Sequence, residues 1–143
     1  MSLKNIKVAI VAVVALVGFS SVAVAATSYY PPERLHCKVD KVGKLSCADF
    51  NHELLAEATY TADFPADKDV VFTFAWGSAF VTSTNEWGVF YTYKDSDGKN
   101  IRLKTINTTI HPDFQHGEWS VMKNYYLCTA GYMSCPISDS SAS

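Results

Sequence analysis

At 143 residues the chain has room for a single domain. Twelve Lys and Arg against fourteen Asp and Glu leave a net charge of −2, and the basic residues are spread singly, which excludes a partner such as nucleic acid that must be met by clustered cations. Four cysteines, three tryptophans, eight tyrosines and eight phenylalanines mark an aromatic-rich chain suited to disulfide stapling and argue against a disordered one.

Residues 1–26 read as a cleavable secretory signal peptide. Lys4 and Lys7 form a short positive region, Val8 to Phe19 is unbroken apolar sequence, and Ser20 to Ala26 is small-residue sequence. Ala23-Val24-Ala25 and Val24-Ala25-Ala26 both suit the peptidase, so the cut is expected after Ala25 or Ala26. An uncleaved anchor competes, because residues 8–26 approach the ~20 residues that cross a bilayer. The Ser20-Ser21 break and the lack of a basic stop after Ala26 favour cleavage. The product is then exported, periplasmic or extracellular, with no membrane attachment. Loss of Lys4 and Lys7 leaves ten basic against fourteen acidic residues, a net −4. In an exported chain this short, Cys37, Cys47, Cys128 and Cys135 predict two disulfides. Cys37–Cys47 and Cys128–Cys135 are the favoured pairs, each closing a short loop; pairings that tie the two ends together are the alternative. The spacings C-x9-C and C-x6-C do not match a zinc site.

In chain order, residues 27–34, with Pro31-Pro32, predict an extended linker. Alternation from Leu35 to Val39, a turn at Lys41-Val42-Gly43 and Leu45-Ser46-Cys47 predict a hairpin that sets Cys37 opposite Cys47. Asp49 to Ala58 is the one candidate helix, before strand-like Thr59-Tyr60-Thr61. Val70 to Trp76 predicts a strand ended by Gly77-Ser78, and Ala79 to Thr82 another. Trp87–Lys94 and Ile101–Ile106 flank Asp95-Ser96-Asp97-Gly98-Lys99-Asn100, a strong hairpin signal. Trp119 to Cys128 predicts a last long strand, and residues 137–143 a disordered tail. The fold expected over residues 35–136 is one mainly β domain, a small antiparallel β-sandwich or barrel with at most one short helix, stapled by two disulfides.

Two groups of residues carry candidate chemistry. Trp87, Tyr91 and Tyr93 would form an amphipathic stripe able to stack on sugars or receive a protein loop if their face of the sheet is open to solvent; otherwise these tyrosines cover a core edge. His111, Asp113, His116 and Glu118 are the densest set of nitrogen and oxygen ligands, although Pro112 and Gly117 break any helix and no metal motif fits. No cofactor is therefore expected, a metal in this loop being the one exception weighed. Gly98 is fourth in its loop where a calcium loop needs it sixth. No G-x-S-x-G occurs, and any pair of catalytic carboxylates would be chosen arbitrarily. Asn107-Thr108-Thr109 fits a glycosylation acceptor only in a eukaryotic secretory route. The leading expectation is an exported, non-enzymatic β module binding a protein or surface glycan through an aromatic face or the 107–118 loop. A small metal-assisted hydrolase built on that loop is the alternative, and an envelope-structural or inhibitory secreted protein the third.

Overall fold

The computed structural model describes residues 27–58 and 64–142; the expected signal peptide and the strand-like residues 59–61 lie outside them. Among the described residues ten strands form: β1 (Arg34–Val39), β2 (Leu45–Cys47), β3 (Leu55–Glu57), β4 (Lys68–Val81), β5 (Trp87–Lys94), β6 (Asn100–Thr105), β7 (Ile110–Pro112), β8 (Ser120–Val121), β9 (Tyr126–Cys128) and β10 (Ile137–Asp139). One antiparallel sheet runs in the order β2-β1-β4-β5-β6-β3, with the β8–β9 hairpin added along the second half of β4. β7 and β10 make a separate two-stranded ribbon.

The long strand β4 lets the sheet curl into a barrel-like, nearly closed form. Its first half pairs with β1 and its second half with β9, while β5 runs along its other side. A register shift between Phe74 and Trp76 bends it midway. The two free edges are then tied by one bond, as Cys47 N–H on β2 donates to the Glu57 carboxylate on β3. Inward positions alternate as the pleat demands: Leu35, Cys37 and Val39; Val89, Tyr91 and Tyr93; Ile101 and Leu103 are all buried.

Cys37 and Cys47 face each other across the β1–β2 register and are bonded, and so are Cys128 and Cys135. Both favoured pairings hold, and the two disulfides mark an oxidising, exported environment. The expected turn at Asp95–Gly98 is also formed, with Asp95 Oδ1 accepting the Asp97 and Lys99 N–H groups and Gly98 at φ 81°.

Five sequence expectations change. The helix over Asp49–Ala58 does not form: the Asn51 carbonyl accepts from Leu54 and Leu55 N–H in a turn, and β3 pairs with the exposed edge of β6. A helix of that length is marginal alone, and a strand edge offers it better partners. Gly77-Ser78 does not end a strand but lies inside β4, because Gly77 seats the rings of Trp119 and Tyr91, which lie 2.8 Å and 3.3 Å from where a Cβ would stand. The long strand at 119–128 is instead two short ones folded back at a turn closed by Met122 N–H on the Tyr125 carbonyl. The linker and the tail are both docked: Tyr29 and Ile137 exchange N–H···O bonds of 2.8 and 2.9 Å, Pro31 is buried, and Ile137 is fully buried in β10. Together these end segments roof the barrel.

Candidate functional site

Tyr91 and Tyr93 have no solvent exposure, so the expected Tyr91/Tyr93 stripe is core. Each phenol finds a backbone acceptor: Tyr91 Oη donates to the buried Cys135 carbonyl at 2.6 Å and Tyr93 Oη to the partly buried Pro32 carbonyl at 2.7 Å. Burial pushes both phenols up, keeping them neutral across physiological pH. Trp87, the third member, is only half-buried, because it sits at the strand's end where the barrel opens.

The 107–118 loop does not gather its four candidate ligands. His111 Nδ1 is bonded to its neighbour's Pro112 carbonyl at 2.8 Å, while its ring packs 6.3 Å from that of Trp87. Asp113 turns the other way, accepting from Ser28 Oγ and, at 2.9 Å, from His116 Nδ1. Glu118 accepts from Ser134 Oγ at 3.0 Å. Among the described residues no three His, Cys, Asp or Glu side chains come together as a metal-holding group. The Ser28, His116 and Asp113 contact is not a nucleophilic relay either. Such a relay needs serine on one ring nitrogen and carboxylate on the other, whereas here both approach Nδ1.

What the Asp113 contact does is pin the N-terminal arm. Burial raises the carboxyl's pKa, but bonds from Ser28 and from the His116 ring and backbone outweigh it and hold the group below its ordinary value. A depressed folded pKa stabilises fully above the unfolded value of about 3.9 and is lost as pH falls through the lower folded one. Asp113→Asn is therefore expected to lower stability by about 1–2 kcal/mol at pH 7. The deficit should shrink as pH is lowered from 7 to below about 3.9, toward the depressed folded value. Urea midpoints of both proteins at the two pH values check this; an equal gap at both would refute the role of the charge.

An open groove runs from the barrel's end onto its outer face. One cleft of about 500 Å³ is lined by Asn85, Glu86, Trp87, Thr108, Thr109, His111 and Ser140. A second of about 360 Å³ shares Glu86, Trp87 and Thr108 and continues over Phe80, Phe90, Lys104, Ile106 and Asn107. Trp87 stands at the junction, its ring 5.4 Å from Tyr126 and 5.9 Å from Phe114, and its backbone N–H donates to the Thr108 carbonyl at 2.9 Å. The far wall is fixed from behind by Asp139, which accepts from Thr109 Oγ1 and Ser141 Oγ at 2.7 Å each. The bond from Thr109, against a smaller burial effect, holds the Asp139 carboxyl below its ordinary range.

Phe80, Phe90 and Tyr125 form the aromatic surface that sequence reasoning placed elsewhere. Their centroids lie 6.2 Å (Phe80–Phe90) and 6.0 Å (Phe80–Tyr125) apart, on the side of the sheet opposite Ala79 and Val89. The available signal was parity: the same alternation that sends Val89 and Tyr91 inward sends Phe90 outward. Comparison with protein-family models, with curated proteins and with solved structures finds no match.

Proposed function

We propose that this protein is an exported, non-enzymatic binding module of the periplasm or the extracellular space, and that it holds a surface glycan in the groove centred on Trp87. The observation that supports this most directly is the composition of that groove. A pyranose presents an apolar C–H face and a rim of hydroxyls. Matching it takes an exposed aromatic ring ringed by planar polar and hydroxyl side chains in an open cleft. Trp87 supplies the ring, and Asn85, Glu86, His111, Thr108 and Thr109 the rim.

In the test, a panel of neutral and acidic oligosaccharides is screened against the oxidised protein, with tryptophan fluorescence as readout. Trp87→Ala is expected to weaken binding at least tenfold, about 1.4 kcal/mol. Because Trp87 also packs against the core, Glu86→Gln serves as the second variant, changing the rim without touching the packing. Absence of any sugar bound below millimolar concentration would sink the reading.

One observation favours a protein partner instead. Val121 is 75% exposed and Met122 40%, both in or beside the β8–β9 hairpin. Such aliphatic side chains do not stack on sugars but suit the centre of a protein interface, as an inhibitory or envelope-structural role would need.

A further inference from the structure

The outer face of β5 and β6 carries a charge that the acidic chain as a whole does not. Arg102 and Lys104 stand two residues apart on the outward side of β6, with the guanidinium 5.5 Å and the ammonium 5.6 Å from the ring centre of Phe90. Lys94, one strand over, lies 5.4 Å from the ring of Trp76. The ion pairs among the described residues involve Arg34, His36, Lys38 and His116 and none of these three cations. Two positive groups are thus held over one aromatic ring with no counter-ion among the described residues. The ring's negative face offsets part of their repulsion, and an anion set between them would remove the rest.

Lys104 and Phe90 line the same cleft as Trp87. The groove therefore carries an acid, Glu86, where its two clefts meet and a cation, Lys104, toward its outer end, with Arg102 beside it on the same face of β6. Trp87 and Phe90 are three residues apart on one strand and so stand on opposite faces of the sheet; a chain of linked sugars crossing the strand at Gly88, which lines the same cleft, could touch both while a single sugar could not. We infer that the ligand is an acidic polysaccharide: a pyranose rests on Trp87 while a carboxylate, sulfate or phosphate substituent further along the same chain sits between Arg102 and Lys104. This inference rests on the glycan reading above. Arg102 suits the role because its planar fork meets such oxyanions with two parallel bonds. An acidic protein or a nucleic acid is disfavoured. The groove's far end carries Asn85, Thr108, Thr109 and Ser140, whose hydroxyl and amide groups match sugar hydroxyls, and a net charge of −2 gives no general attraction for a polyanion that lacks such an anchor.

Three polymer pairs differing only in their substituent test the idea on the oxidised protein: polygalacturonate against its carboxyl-reduced form, dextran sulfate against dextran, and a phosphomannan against its dephosphorylated form. At least one acidic member should bind about tenfold tighter than its neutral partner. That preference should shrink several-fold between about 50 and about 300 mM salt, and fall to near parity in Arg102→Gln with Lys104→Gln. Both side chains are exposed, so the thermal midpoint should not move, which separates lost recognition from lost folding. The pair that discriminates names the substituent. Equal binding of acidic and neutral members overturns the inference and leaves the glycan reading standing. No binding of any polymer overturns both. Equal or tighter binding of poly-L-glutamate or oligothymidylate overturns the assignment to an acidic glycan.

Discussion

Replacing Tyr91 by alanine is expected to lower the unfolding free energy by about 3–5 kcal/mol, the range for deleting a large ring from a packed core. Its side chain has no solvent exposure, and its ring lies beside Gly77 across the β4–β5 register and 5.9 Å from that of Phe74. The hydroxyl adds a second contribution, since without it the buried Cys135 carbonyl loses the donor at 2.6 Å. Tyr91→Phe separates the two: it keeps the ring, and should cost about 1–3 kcal/mol for the orphaned acceptor. Denaturant midpoints of both variants give the comparison. A loss under about 1 kcal/mol for Tyr91→Ala would mean that this face is not the core. The same burial has an alkaline consequence. Both phenols are pushed up, so their stabilisation is complete below about pH 10 and is withdrawn as pH climbs above that unfolded value.

Tyr91 also shows how far the sequence could be read. Alternation correctly put Val89, Tyr91 and Tyr93 on one face and Phe90 on the other; what it could not supply was which face had a roof. That roof is made of residues 27–34 and 137–139, which look like linker and tail because they are short, proline-rich or small and polar, together with Cys135 and Pro136. They supply the Pro32 and Cys135 carbonyls that let two tyrosine hydroxyls be buried without leaving water unmatched. Whether the ends were docked and whether the tyrosine face was core were thus one question. The disulfides were legible because spacing and strand register agreed. The β5–β6 hairpin was legible because Asp-Gly specifies its turn locally. β3 was not, because the pull of an open β6 edge is a tertiary effect acting on a segment with weak helical preference.

The candidate site followed the same division. The residue types were visible: Trp87, the 107–118 loop and an aromatic richness larger than a core of this size needs. Their grouping was not. His111 and Asp113 are two residues apart, and in a strand-like segment that spacing suggests a shared face. The break in strand geometry after Pro112 turns His111 toward Trp87 and Asp113 toward Ser28, so a presumed ligand cluster is divided between a groove wall and an N-terminal clip. A lysine–phenylalanine–arginine grouping across two strands has no sequence signature at all, since Phe90 meets Lys104 only through the β5–β6 register.

Gly117→Ala is expected to lower stability by about 1–3 kcal/mol, the range for an overpacked site, and to weaken groove binding with it. A Cβ at this position would stand 2.6 Å from Pro136 Cδ, and 3.0 Å from each of the Asp113 and Ser134 carbonyl oxygens. None of the three can step aside cheaply. Ser134 and Pro136 flank Cys135, which the disulfide to Cys128 fixes, and the Pro136 carbonyl already accepts from Asp113 N–H and Trp119 Nε1, each at 2.9 Å. The loop must therefore yield, and residues 113–116 carry both its consequences. Movement of Asp113 loosens its bonds to Ser28 and His116, and movement of Phe114 withdraws the ring that lies 5.9 Å from Trp87. Thermal midpoint and the tryptophan-monitored sugar titration are read on the same sample. A variant as stable as the parent within about 0.5 kcal/mol would show that the loop has slack which these contacts deny. Lost stability with unchanged binding would mean that Phe114 plays no part in holding Trp87 at the groove.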